Sequence, residues 1–295
     1  MAFLSAANAN VSNSDDDLAV APMADLGMNV STVSWDEDRS WREFDVVIVR
    51  STWDYHDRSE AFFRALSGID KQTRVANPLE TMRWNARKNY LADLRERGVE
   101  TVDTQFGDAL DTAALDALCD RFATSEWILK PQIGANSSGV HRLRSADLNE
   151  VRGSTRTALL DEFSARPFMA QPFLPAVLDP GEYSVFFFAG RYSHTILKTP
   201  TSGDFRVQED YGSHIREVAP SEALMSAAHQ TLCALPERCL YVRVDLIEQS
   251  RGSYALMEVE LIEPSLYLRT CGQAPQNFAD AVARWLSDRT IGEAD

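Results

Sequence analysis

The spacing of hydrophobic positions changes twice along the chain and marks out three stretches. In the first, Ala2-Phe3-Leu4, Val30 to Trp35 and Val46-Val47-Ile48-Val49 predict short strands. The last is uninterruptedly apolar, as in a parallel sheet buried on both faces. Ser14 or Asp15 predicts the start of a helix that Gly27 ends, with Pro22 forcing a late start or a kink. The order is βαββ or βαβ, an open α/β unit that closes near Ala76-Asn77-Pro78. The second stretch predicts helices over 87–97 and 110–122, then strands at 127–131 and 168–171. From Gly181 the pattern turns β-rich, with strands at 183–189, 192–198, 240–248 and 254–262 and helices at 221–235 and 276–288. The expected units are 1–84, 85–175 and 176–295.

Composition adds exclusions. The 295 residues exceed the ~150-residue prior for one domain. With 44% hydrophobic and 25% charged residues, the chain is neither fibrous nor wholly disordered. No apolar run approaches the ~18 residues of a membrane span, and Met1-Ala2-Phe3-Leu4-Ser5 lacks a basic flank. A soluble cytoplasmic protein is expected. The net charge of -15 argues against nucleic acid as a partner, although a nucleotide bound by a few local bases and a metal remains open. Cys119, Cys233, Cys239 and Cys271 form no CxxC pair and read as free thiols.

The sharpest chemical signal is acidic. Alternation puts Arg243 and Asp245 on one face of a strand, and Glu258 and Glu260 on one face of another. Same-face neighbours lie roughly 7 Å apart and hairpin partners ~5 Å apart. A turn at Gly252 therefore sets Asp245 beside both glutamates. Carboxylates that converge repel unless a cation neutralises them, and all-oxygen ligation points to Mg²⁺ or Mn²⁺. Lys130 ends an apolar strand just before Gly134-Ala135-Asn136-Ser137-Ser138-Gly139, where small residues expose N–H groups to phosphate. Lys88 opens a helix, where its charge opposes the dipole unless an anion binds. Gln171-Pro172-Phe173-Leu174-Pro175 offers extended backbone to a planar base, and Glu182 a carboxylate to a ribose hydroxyl. Lys198 and Arg206 lie on or after a strand ahead of the acidic hairpin.

In this order the features resemble the ATP-grasp carboxylate ligases, with glutathione synthetase and D-alanine–D-alanine ligase as named branches. The resemblance runs from about residue 77 to 295. It implies an α/β ATP-grasp fold: an open pre-grasp domain over 1–84, a central domain over 85–175 with a mobile lid at about 131–167, and a carboxyl-terminal domain over 176–295. Glu258-Val259-Glu260 is similar to the family's Glu-x-Asn metal pair, with Glu in place of Asn. Arg50-Ser51-Thr52-Trp53-Asp54-Tyr55, Trp84-Asn85 and the segment from Gly203 to Gln208 resemble a narrower group, that of D-cycloserine synthetase.

The resemblance implies ATP and Mg²⁺ (or Mn²⁺) as cofactors and these roles. Lys88, Lys130, Ser137, Ser138, Gln171, Phe173 and Glu182 bind ATP; Asp245, Glu258 and Glu260 bind metal. Lys198, Arg243 and Arg206 act on the transferred groups. Arg50, Ser51, Trp53 and Tyr55 hold a small amino-acid-like substrate. The implied reaction converts a carboxylate to an acyl phosphate, releases ADP, and closes the chain through a nitrogen, with O-ureido-D-serine the first compound to try. An intermolecular carboxylate–amine ligase is the alternative. A non-catalytic nucleotide-binding module and an unrelated α/β metal hydrolase are less favoured rivals, and a homodimer is left open.

Overall fold

The computed structural model describes residues 1–7, 14–134, 138–148 and 153–288. The first unit is β1 (Ala2–Ser5), α1 (Val20–Asp25), β2 (Ser31–Ser34), β3 (Val46–Ser51), α2 (Ser59–Asp70), β4 (Arg74–Ala76) and α3 (Leu79–Asn85). Its strands form a parallel sheet in the order β2-β1-β3-β4, and every residue of β3 is buried. Two expectations are corrected here. The helix expected from Ser14 begins as a 3-10 turn over Asp16–Ala19, and the α-helix itself starts at Val20. Pro22 then falls in the first α-helical turn, where the missing N–H has no intrahelical acceptor to lose. The unit also holds α2 and β4, which a search for apolar strands passes over.

The central unit comprises α4 (Tyr90–Glu96), β5 (Gln105–Gly107), α5 (Thr112–Arg121), β6 (Glu126–Pro131), β7 (His141–Arg144), α6 (Ser154–Glu162) and β8 (Phe168–Pro172). Its antiparallel sheet runs β5-β8-β6-β7. Asp111 caps α5 by accepting from Ala114 N–H at 2.8 Å. The helix expected from Arg87 starts three residues later, at Tyr90. Before it, Lys88 N–H donates to the Gln132 carbonyl at 2.9 Å, so the chain is committed to β6 rather than to a helical turn.

The last unit is β9 (Glu182–Phe188), β10 (Arg191–Thr199), β11 (His214–Glu217), α7 (Glu222–Cys233), β12 (Tyr241–Ser250), β13 (Ser253–Glu260) and α8 (Ala274–Ser287). Its antiparallel sheet runs β11-β10-β9-β12-β13. Alternation sends Val185, Phe187, Val242 and Val244 to one face, packed with Tyr90, Leu91 and Leu94 of α4 and Leu224 and Ala228 of α7. That apolar face turns Glu182, Ser184, Arg243 and Asp245 to the other side of the sheet, toward the cleft. Asn77 joins the first unit to this sheet, donating to the Tyr241 and Leu261 carbonyls and accepting from Leu240 N–H. No helix among the described residues is long and apolar enough to cross a membrane, and the four cysteines are free.

Candidate active site

A cleft of about 900 Å³ lies between the central sheet and the last sheet, with the first unit along one side. Its floor is written in strand register. Ser184, Asp245 and Glu258 form one row across β9, β12 and β13, and Phe186, Arg243 and Glu260 form the next. Lys198 pairs with Glu182 across β10 and β9. The hairpin through Gly252 thus brings Asp245 opposite Glu258, as the alternation predicts.

Most charges of the floor are already matched. Lys198 Nζ lies 2.5 Å from Glu182 and 3.5 Å from Asp245. Arg243 is 2.9 Å from Asp245 and also holds Glu260. Lys88 Nζ is 2.7 Å from Glu258 and donates to the Gly134 carbonyl. Burial opposes the charge on Lys198, but Asp245 and Glu182 outweigh it and raise its pKa. Burial likewise opposes ionisation of Glu258, and Lys88 and Lys130 overcome it.

Two groups are left over. Lys130 lines the cleft with no ion-pair partner among the described residues, and burial lowers its pKa. Glu263, half-buried on the cleft wall, has no side-chain hydrogen bond or ion pair among the described residues. Burial, with Glu260 next in effect, pushes its carboxyl up to about 8. Burial also pushes Glu260 up to about 7 despite Arg243.

Local geometry explains how these side chains are placed. Gly181 has φ +123°, and a Cβ there would lie 2.4 Å from the Lys198 carbonyl oxygen, so only glycine lets β9 start beside Lys198. Buried Gln132 ties the Lys88 turn to the end of β6. It accepts from Arg87 Nε at 2.6 Å and donates to the Gly107 and Phe168 carbonyls.

Two expected substrate residues are corrected, and several others prove to have local partners. Arg50 and Ser51 do not line the cleft: β3 is two residues longer than its apolar run, so both remain within the strand and are buried. Arg50 donates to Asp16 at 2.9 Å and to the Pro264 carbonyl at 3.1 Å, and lies over the Tyr241 and Phe278 rings. Trp53 and Tyr55, beyond the strand end, do line the cleft. The Phe173 N–H, expected to face a base, donates to the Glu126 carbonyl at 2.8 Å, and Arg142 covers the Phe173 ring at 3.7 Å. The Gln171 amide donates to Thr104. Arg206 lines the cleft but is held by Asp204 and stacked on Tyr211. The acidic trio does not gather to ligand distances: no such cluster occurs among the described residues, because each carboxylate is drawn to a cation. Ser138 lines the cleft, and Ser137 lies outside the described residues.

Sequence reasoning missed Glu263 and Gln132. Glu263 is out of phase with the Glu258–Glu260 alternation, and becomes a cleft residue only because β13 ends at Glu260. The carboxylate row fits Mg²⁺ by its chemistry: hard oxygen donors on one sheet face, with Glu260 and Glu263 crowded enough that burial and neighbouring carboxylates oppose their ionisation until a cation arrives.

Solved structures of an ATP-grasp ligase, PsnB, with Mg and ADP (TM-score 0.67, 13% identity, 97% of this chain and 98% of that one) and of D-alanine–D-alanine ligase from Bacillus anthracis (0.65, 15%, 97% and 96%) share the fold. The fold is therefore that of the ATP-grasp ligases. Within it, residues 1–77 match the family described as D-cycloserine synthetase DcsG, N-terminal domain. The cycloserine biosynthesis protein DcsG of Streptomyces lavendulae is 33% identical over 277 residues, 88% of this chain and 90% of that protein. A crystal structure of D-cycloserine synthetase DcsG superimposes with TM-score 0.83 at 28% identity, over 97% of this chain and 99% of that one. Glutathione synthetase of Ralstonia nicotianae is 27% identical, over 82% of this chain and 68% of that protein. The chain belongs to the D-cycloserine synthetase DcsG family, and it is an ATP-dependent carboxylate–amine ligase.

Proposed function

We propose that the enzyme activates the carboxylate of an amino-acid derivative, O-ureido-D-serine in the first instance, and closes it into a ring. The observation that carries the reading is one cleft holding a half-buried lysine, Lys130, with no ion pair among the described residues, and a cross-strand row of carboxylates behind it. Lys130 and Lys88 receive the α- and β-phosphates of ATP, with Ser138 beside them in the cleft. Gln171 and Phe173 border the adenine. Glu182 faces the ribose, and Lys198, already beside it, reaches toward the γ-phosphate.

Asp245, Glu258 and Glu260 would hold Mg²⁺, and Lys88 and Arg243 would release Glu258 and Glu260 for it. Bound there, the metal offsets charge on the phosphate oxygens during transfer. A substrate carboxylate oxygen attacks the γ-phosphorus and ADP leaves. The ureido nitrogen that carries the chain oxygen then attacks the acyl carbon, phosphate departs, and the ring closes. Arg243 and Arg206 stabilise the oxyanion of that second step. Holding nucleophile and acyl carbon on one folded chain avoids the entropy of bringing in a second reactant.

The relationship to glutathione synthetase supports a second reading, ligation of two separate substrates. Hydroxylamine trapping tests the shared step. The proposal expects hydroxamate and ADP to form together from O-ureido-D-serine; AMP in place of ADP would rule out an acyl phosphate.

A further inference from the structure

We propose that Glu263 binds the α-ammonium group of the substrate and thereby selects amino acids over other carboxylic acids. The inference rests on the ligase reading above and adds a residue to it. Its basis is the way the chain leaves β13. Five successive carbonyls each accept from a different side chain: Leu261 from Asn77 at 2.8 Å, Ile262 from the Tyr241 hydroxyl at 2.8 Å, Glu263 from Trp53 Nε1 at 3.1 Å, Pro264 from Arg50 at 3.1 Å and Ser265 from Arg243 at 3.4 Å. The main chain is fixed by side chains of the first unit and of β12, and the Glu263 side chain stands on the cleft wall with nothing bound to it among the described residues.

The charge balance says what it lacks. Glu182, Asp245, Glu258 and Glu260 each have a lysine or arginine within ion-pair distance, whereas Glu263 has none among the described residues. A half-buried carboxylate is costly unless a cation meets it, and Glu260 nearby worsens the cost. Trp53 and Tyr55 line the same cleft, which suits a compact ammonium-bearing substrate. Arg50 and Trp53 become positioning residues: they hold the backbone that carries Glu263.

The test compares O-ureido-D-serine with its des-amino analogue, 3-(ureidooxy)propanoate, by ADP release at saturating ATP and Mg²⁺. The wild-type enzyme should prefer the amino compound by about 100-fold in kcat/KM. Glu263→Gln should erase that preference through KM, while the KM for ATP and the Mg²⁺ requirement stay unchanged. Equal use of both compounds by the wild type overturns the proposal without recourse to a variant. So does a preference that survives Glu263→Gln, or a raised Mg²⁺ requirement, which would make Glu263 a metal ligand. If O-ureido-D-serine releases no ADP, the cyclising reading fails separately. Glu263 is then judged by thermal shift with ATP and Mg²⁺, D-serine against 3-hydroxypropanoate. Stabilisation by D-serine alone supports it, and any other result overturns it.

Discussion

The matched charges of the cleft floor and its two unmatched ones behave as different kinds of structure. Where Lys198 sits between Glu182 and Asp245, and Arg243 between Asp245 and Glu260, each charge offsets the burial of the next. Lys130 and Glu263 make no ion pair among the described residues, and burial, only partly offset by opposite charges farther away, shifts both groups toward their neutral forms. The matched set holds the sheet face together before any ligand arrives. The unmatched pair stores a cost that phosphate and ammonium would relieve, the usual relation between stability and function at a site. Removing a matched charge should therefore harm the fold or the chemistry, and removing an unmatched one should harm binding alone.

The largest expected effect is at Glu258. Glu258→Gln should lower turnover by on the order of 10³-fold with the fold retained, read by ADP release and circular dichroism. A wild-type rate would remove Glu258 from the metal site. Next comes Arg50, matched to Asp16 and outside the cleft lining, where it holds the Pro264 carbonyl. Arg50→Met should cost about 3–5 kcal/mol in denaturant unfolding, because it leaves Asp16 buried without its cation. A stable, inactive variant would instead return Arg50 to the substrate.

His194 sharpens the contrast from an apolar region. It stacks on Phe186 at 4.2 Å and its Nε2–H donates to the Leu266 carbonyl; that bond favours the charged ring, but burial outweighs it and keeps the ring neutral. Burial lowers its pKa to about 4, against about 6.5 in the unfolded chain. Between these values the unfolded state binds the extra proton, so stability falls as pH drops from about 6.5 to about 4, by up to about 3 kcal/mol. His194→Gln should flatten that part of the stability–pH curve. The smallest effect is at Lys130. Lys130→Met should weaken ATP binding by about 1.5–3 kcal/mol, measured by calorimetry, with a melting temperature no lower than wild type. A clear loss of melting temperature would place Lys130 among the structural charges.

How much of this was legible in sequence follows from range. Period-2 alternation is local, so β9, β10, β12, β13 and the pairing of Asp245 with Glu258 could be read directly, whereas the largely exposed edge strand β11 carries no such signal and was not. The motif order carried the ligase class. What the sequence hid depends on where elements end. Arg50 looked like a loop residue because β3 outlasts its apolar run, and Glu263 looked like the wrong phase because β13 stops short of it. The partners that neutralise the acidic trio were equally hidden: Lys88 reaches Glu258 across 170 positions of chain, which no local pattern encodes.

The central claim is intramolecular ligation, and the most direct measurement is ADP and product stoichiometry with O-ureido-D-serine as the sole carboxylate and the sole amine. The account predicts equal amounts of ADP and ring-closed product from that single substrate, with no gain on adding a second amine. ADP that forms only when a second amine is supplied, with an open-chain amide as product, would contradict it.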